Sequence, residues 1–347
     1  MPAQRGSPLR WGALLRYTGA MLSLPTILPA MLLACAPEAK PVSPVEAAFD
    51  DGFLLGINYP WRNYGGDFGE NAWGRYGVAS DPYAIDDDFG RLADAGVEVV
   101  RWFVFTDGRA SPEFDADGVV TGLDEAAWED LDFAVDLAEA HGLLLVPVLL
   151  DFTWFGAAEA LSGVQMGGRS YVMADPQMRA SLVENAVLPV LQRYGDSPGI
   201  LAWDVINEPE WAMDGLGEDW LGGSIPAEDV QEFVDTVAAL VATETEHGVT
   251  VGSAGAEFLP RYWWEAELDL LQLHWYGGPL ADAALACDDR PCVVGEFGTA
   301  AEFGPLGESL DAVAAAGFTG AWPWSFRAED GASDLDMDAF EAWADGR

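Results

Sequence analysis

Beyond about residue 51 the chain alternates between two patterns. Short, almost wholly apolar runs occupy 53–59, 97–103, 143–150, 200–206, 249–253, 270–276, 292–297 and 320–325. Each is followed by a longer stretch whose apolar residues recur every three and four positions, at 85–95, 125–140, 177–194, 228–246, 258–268, 280–286, 306–316 and 337–344. Leu131, Ala134, Val135, Leu137 and Ala138 fall on one stripe of a helix. Runs that are apolar throughout are what strands covered on both faces require. Glycines at 142, 195, 248 and 317 follow the helical stretches, where a left-handed residue can cap a helix. His141 and His247 each precede such a glycine, which places them near helix C-termini. Eight strand–helix alternations predict α/β architecture and a single (β/α)8 TIM barrel over 51–347; a doubly wound open sheet is the second reading.

Composition narrows the partners. The 347 residues carry 58 Asp and Glu against 16 Lys and Arg, and Lys40 is the only lysine. A surface with formal net charge −42 repels phosphates, so nucleic acid and anionic headgroups are excluded as partners and a neutral substrate is favoured. No phosphate loop and no Gly-x-Ser-x-Gly elbow occurs, and no cofactor or metal is expected. A single barrel acting as a monomer is the expected state.

The first 34 residues read as a leader. Arg5, Arg10 and Arg16 precede a mostly apolar run from Ala20 to Leu33, which Pro25 and Pro29 make unsuited to span a membrane. Leu32-Leu33-Ala34-Cys35 resembles a bacterial lipobox. That resemblance implies cleavage before Cys35, lipid on its sulfur, and a flexible tether over 35–50, so the protein would be exported and held at the cell envelope by the lipid alone. An ordinary signal peptide cut nearby is the alternative. The other cysteines, Cys287 and Cys292, have four residues between them, a spacing that suits a disulfide closing a small loop; two separate buried thiols are the alternative.

In such a barrel the chemistry stands at the C-terminal ends of the strands. Those ends hold Asn58 and Trp61, Arg101 and Trp102, Asp151 and Trp154, Asn207 and Glu208, His274 and Tyr276, Glu296, and Trp322 with Trp324. Burying such groups unpaired is costly, so their convergence on one rim points to a site. Two carboxylates held in different protonation states suit glycoside hydrolysis, one donating a proton and the other attacking the anomeric carbon. Arg101 as a structural salt bridge and His274 as a satisfied core histidine are the competing readings.

Four stretches, "WDVINEPEW", "LHWYGG", "VVGEFG" and "WPWSF", together resemble the retaining glycoside hydrolases of clan A, nearest to family 5 with its cellulases and β-mannanases. The resemblance implies Glu208 as acid/base and Glu296 as nucleophile. It further implies Asn207 on the sugar 2-hydroxyl, Arg101, His274 and Tyr276 ordering the nucleophile, and Trp324 flooring the adjacent subsite. Trp61, Trp102 and Trp154 are added as substrate-facing aromatics. The expected activity is therefore retaining hydrolysis of a neutral β-mannan or β-glucan. An exo-acting β-glycosidase, or a non-catalytic sugar-binding lipoprotein on the same barrel, is the alternative. One departure is visible: many family 5 enzymes carry His after strand three, where this chain has Asp151.

Two loops leave open readings. The aromatic segment from Tyr59 to Tyr76 either lines outer sugar subsites or plugs its own loop. Residues 113–124 imitate a calcium loop, but a tight turn at Asp117-Gly118 fits a barrel loop better.

Overall fold

The computed structural model describes Ala48 and residues 52–214, 225–288 and 290–347. Eight strands carry the architecture: β1 (Leu54–Asn58), β2 (Val99–Phe103), β3 (Leu144–Asp151), β4 (Ala202–Asn207), β5 (Gly248–Ser253), β6 (Leu271–Trp275), β7 (Cys292–Phe297) and β8 (Gly320–Ala321). All pair in parallel in chain order, and β8 closes on β1. The chain is thus a closed (β/α)8 barrel. β8 has only two ladder residues because Pro323 supplies no N–H; Trp322 and Trp324 still donate to Val294 O and Phe297 O at 2.9 Å each.

The apolar runs serve two cores. Leu54, Val99, Val146, Leu201, Ala202, Leu270, Val293 and Trp322, contributed from around the ring, form one buried cluster that fills the barrel. The larger cluster lies between the strands and the surrounding helices. Those helices are α1 (Pro82–Asp94), α2 (Glu125–His141), α3 (176–194), α4 (Ala227–Glu244), α5 (Leu280–Ala284), α6 (Leu306–Ala316) and α7 (Met337–Asp345). The stripe on α2 is buried as expected. The α2 N-terminus is capped by Asp124, which accepts from Ala127 N at 2.6 Å, and its C-terminus by Gly142 at φ 69°. Within α3 the turn Val183–Val187 widens to a π-helix just ahead of Pro189, whose missing N–H releases the carbonyl of the preceding turn.

The structure corrects several expectations. The helix expected at 258–268 is only a 3-10 turn (Ala256–Phe258) and a π turn (Leu259–Trp263). Gly195 has φ −59° and Gly248 is the first residue of β5, so neither is a left-handed cap; Gly317, at φ 94°, is one. His247 does not sit at a helix end. It is buried, accepts from Trp203 Nε1 at 3.2 Å and contacts Ser197 O through Nε2 at 2.8 Å, and burial lowers its pKa. Residues 113–124 do form the expected tight turn, in a small hairpin in which Asp115 Oδ1 accepts from Asp117 N and Val119 N. Cys287 and Cys292 are joined by a disulfide, with Cα atoms 5.9 Å apart, closing the loop that leads into β7. Cys35 and the leader lie outside the described residues.

Candidate active site

The strand ends converge on Arg101. It stands on β2 with no exposed side-chain surface, and all three of its nitrogens are engaged, in four hydrogen bonds and an ion pair. Nε and Nη2 both meet Asp204 Oδ2 at 2.9 Å; Nη1 meets Asn58 Oδ1 at 3.0 Å and Glu296 Oε1 at 2.5 Å; Nη2 also donates to Asn207 Oδ1 at 2.7 Å. Burial alone would lower the guanidinium pKa, but Asp204 and Glu296 hold it above its ordinary value, so it stays cationic. The fork geometry explains why this is arginine: a lysine could not serve strands β1, β4 and β7 at once.

Arg101 therefore orders Glu296, whose other oxygen accepts from Tyr276 OH at 3.1 Å. Burial pushes the Glu296 carboxyl up and the charge of Glu208 adds to this, while His274 and Arg101 oppose it. Glu208 has a different setting. It follows the last residue of β4 with backbone φ 46° and ψ 45°, the left-handed region, and its N–H donates to Gly252 O at 2.6 Å. Its Oε1 lies 2.7 Å from His274 Nδ1, and its Oε2 accepts from Trp211 Nε1 at 2.9 Å. Among the described residues no Arg or Lys pairs with it. Burial pushes its pKa up to about 7, against Trp211 and Arg101. One oxygen of Glu208, one of Glu296 and a nitrogen of His274 all lie within 4.8 Å of one another.

His274 is fully buried and its pKa falls to about 4, chiefly through burial, so it is neutral near pH 7. It was expected to order Glu296, yet Nδ1 is nearer Glu208, at 2.7 Å against 3.4 Å. The ladder shifts register between β4 and β5, with the extra residue in β4 between Asp204 and Asn207, and between β6 and β7, with the extra residue Gly295 in β7 just before Glu296; such bulges re-aim side chains.

Above the carboxylates opens a cleft of about 680 Å³. Trp61, Tyr64, Phe103, Trp211, Tyr276 and Trp324 line it, with Asp151, Asn207, Glu208 and Glu296 among its polar groups. Trp61 meets Tyr64 at 4.5 Å and Trp324 at 5.8 Å, both edge to face, giving an aromatic wall of rings set nearly perpendicular to one another. The aromatic loop thus divides its labour. Trp61 and Tyr64 reach the cleft, whereas Phe68 packs on Trp102 at 5.2 Å. Buried Asp67, pushed up to about 6 by burial, ties the loop by accepting from Arg62 N, Asn63 N and Trp102 Nε1.

Trp102 and Trp154 are corrections to the substrate-facing set. Both are buried and absent from the cleft wall; Trp154 Nε1 donates to Phe105 O at 2.8 Å, so these rings support the loops from behind. Arg101 and His274 act on the carboxylates and do not line the cleft either.

Sequence reasoning gave no role to Asp204, although a lone acid between Trp203 and Val205 in a buried run was the signal. It missed Glu208's donor, Trp211, three residues downstream. It also passed over buried Glu210, which accepts from Trp263 Nε1 and Ser253 Oγ and fastens the loop after β5.

No family model matches the chain. It is 29% identical over 219 residues to the mannan endo-1,4-beta-mannosidase of Cryptopygus antarcticus, covering 58% of this chain and 54% of that protein. The same comparison with the Mytilus edulis enzyme of that name gives 28% over 219 residues, 58% and 56%. The chain spans about half the length of the curated relatives it matches. In fold it is similar to the crystal structure of β-1,4-D-mannanase from Cryptopygus antarcticus, with TM-score 0.70 and 23% identity over 84% of this chain and 89% of that one. The likeness carried by the four short motifs, to the cellulase and β-mannanase group, is also the likeness found along the barrel.

Proposed function

We propose that this chain is a retaining β-glycoside hydrolase acting within β-1,4-mannan, with Glu208 as acid/base and Glu296 as nucleophile. The observation that carries the reading is the asymmetry of two carboxylates whose oxygens approach within 4.8 Å. Such closeness suits covalent double displacement and leaves no room for the water that an inverting pair, about 6.5–9.5 Å apart, would hold. Glu296 is paired with the Arg101 guanidinium, whereas Glu208 meets neutral His274 and the Trp211 indole, so a single proton shared by the pair rests on Glu208. Neutral His274 can accept that proton's hydrogen bond without repelling it. Glu296 attacks while Glu208 protonates the leaving oxygen; once the charge of Glu296 is consumed in the glycosyl bond, Glu208 can take a proton from water. The aromatic wall suits the C–H faces of a neutral sugar chain. Mannan and internal cleavage are chosen because the curated relatives bear that name.

The test is a panel of β-mannans, β-glucans and xylans, with product sizes read and the first product's anomer followed by NMR. Shortened mannan chains with initially β-configured ends are expected. Initially inverted ends would remove the retaining mechanism, and glucan cleavage without mannan cleavage would remove the substrate.

We also propose that the protein is exported and anchored through lipid on Cys35. The support is the charged, apolar leader ending in Leu32-Leu33-Ala34-Cys35. Cys35→Ser should release the protein from membranes or block its processing; a variant that partitions like the parent would end the anchor.

A further inference from the structure

We propose that Asp151 is a positioning residue that fixes which face of the Asn207 amide meets the substrate; this rests on the glycosidase reading above. Asp151 ends β3 and is the direct register partner of Asn207 on β4. Both are buried to about 5% exposure, and both line the cleft. Asp151 Oδ2 accepts from Asn207 Nδ2 at 2.8 Å. Its Oδ1 is held by Thr153, whose N–H donates at 2.9 Å and whose hydroxyl donates as well.

An asparagine amide can turn over with almost no change of shape, so only its partners decide which end is oxygen. Here the partners are of opposite kinds. Arg101 is a donor without acceptors and takes Asn207 Oδ1 at 2.7 Å. Burial pushes the Asp151 carboxyl up to about 6, so near pH 7 it is ionised, an acceptor without donors, and it takes one Nδ2 hydrogen. The turned-over amide would set oxygen against carboxylate and hydrogen against guanidinium. The clamp therefore leaves the second Nδ2 hydrogen as the group offered to the cleft. That is a fixed donor beside Glu208, and it suits a sugar hydroxyl that accepts next to the reacting carbon. Arg101 opposes the turned-over amide from the oxygen end, and Asp151 adds the hold on the nitrogen end, which fixes where the second hydrogen points.

The test is a double-mutant cycle of Asp151→Ala and Asn207→Ala, read on an aryl β-mannoside and on its 2-deoxy analogue. With the hydroxyl present, Asp151→Ala should lower kcat/KM about tenfold or more, the size of one hydrogen bond to a charged group. Without that hydroxyl the loss should shrink severalfold. In the Asn207→Ala background, removing Asp151 should change little further, since the two act as one unit. Equal losses on both substrates, or additive losses in the cycle, would overturn the proposal. Circular dichroism checks folding, and Asp151→Asn replaces the alanine variant if that one does not fold. If the parent turns over no glycoside, the cycle is run on the Kd for mannotetraose. Coupled losses would then keep Asp151 and remove the hydrolase; additive losses would remove Asp151; and a parent that neither cleaves nor binds removes both.

Discussion

Replacing Glu296 by alanine is expected to cost at least about 10⁴-fold in kcat/KM on every β-glycoside, because removing the attacking atom ends the double displacement itself. The loss should not depend on the leaving group. The fold should survive: Arg101 keeps Asp204, Asn58 and Asn207 as partners, so its charge is not left unpaired. Near-UV circular dichroism of the variant checks that point, and aryl and natural substrates check the other. Residual turnover within tenfold of the parent would remove Glu296 from the reaction.

Glu208→Ala should behave differently. On mannan, whose leaving oxygen needs a proton, the expected loss is about 10²–10⁴-fold, the usual worth of general acid catalysis. On aryl glycosides with acidic leaving groups the first step should survive, and the glycosyl-enzyme should accumulate for want of a base. Azide, which needs no base, should then restore turnover and give a β-glycosyl azide. The pH profile separates the roles further. A carboxyl raised to about 7 is protonated below that value, so parental kcat/KM on mannan should fall as pH climbs through about 7. For the alanine variant on activated substrates that alkaline limb should vanish. A variant as active on mannan as the parent would return Glu208 to the status of a loop carboxylate.

The barrel was legible because its rule is periodic. A short, mostly apolar run, then a stripe every three or four, is a pattern that tertiary packing reinforces. Cys292–Phe297 and Leu306–Ala316 were therefore bounded to the residue. The expected helix at 258–268 is broken into two short turns, and the eighth strand is shortened at Pro323, which has no N–H to give to the ladder. In the site, the residue types at the strand ends announced themselves, since an apolar run ending in Asn-Glu needs an explanation. Depth did not. Trp61 and Trp102 look alike in sequence, yet one faces the cleft and the other is sealed behind Asp67. Pairings across the barrel, such as Arg101 with Asp204, join residues 103 apart and depend on closure of the ring.

Successive residues of a strand face opposite ways. Asn207 and Glu208 are adjacent, yet both face the cleft. The left-handed backbone at Glu208 is what breaks the alternation, swinging the carboxyl round to join its neighbour on the inside. For a residue with a Cβ this conformation costs about 1–2 kcal/mol. The barrel thus gives up local stability for direction: it spends one unfavourable dihedral pair to place two working side chains where regular geometry allows one.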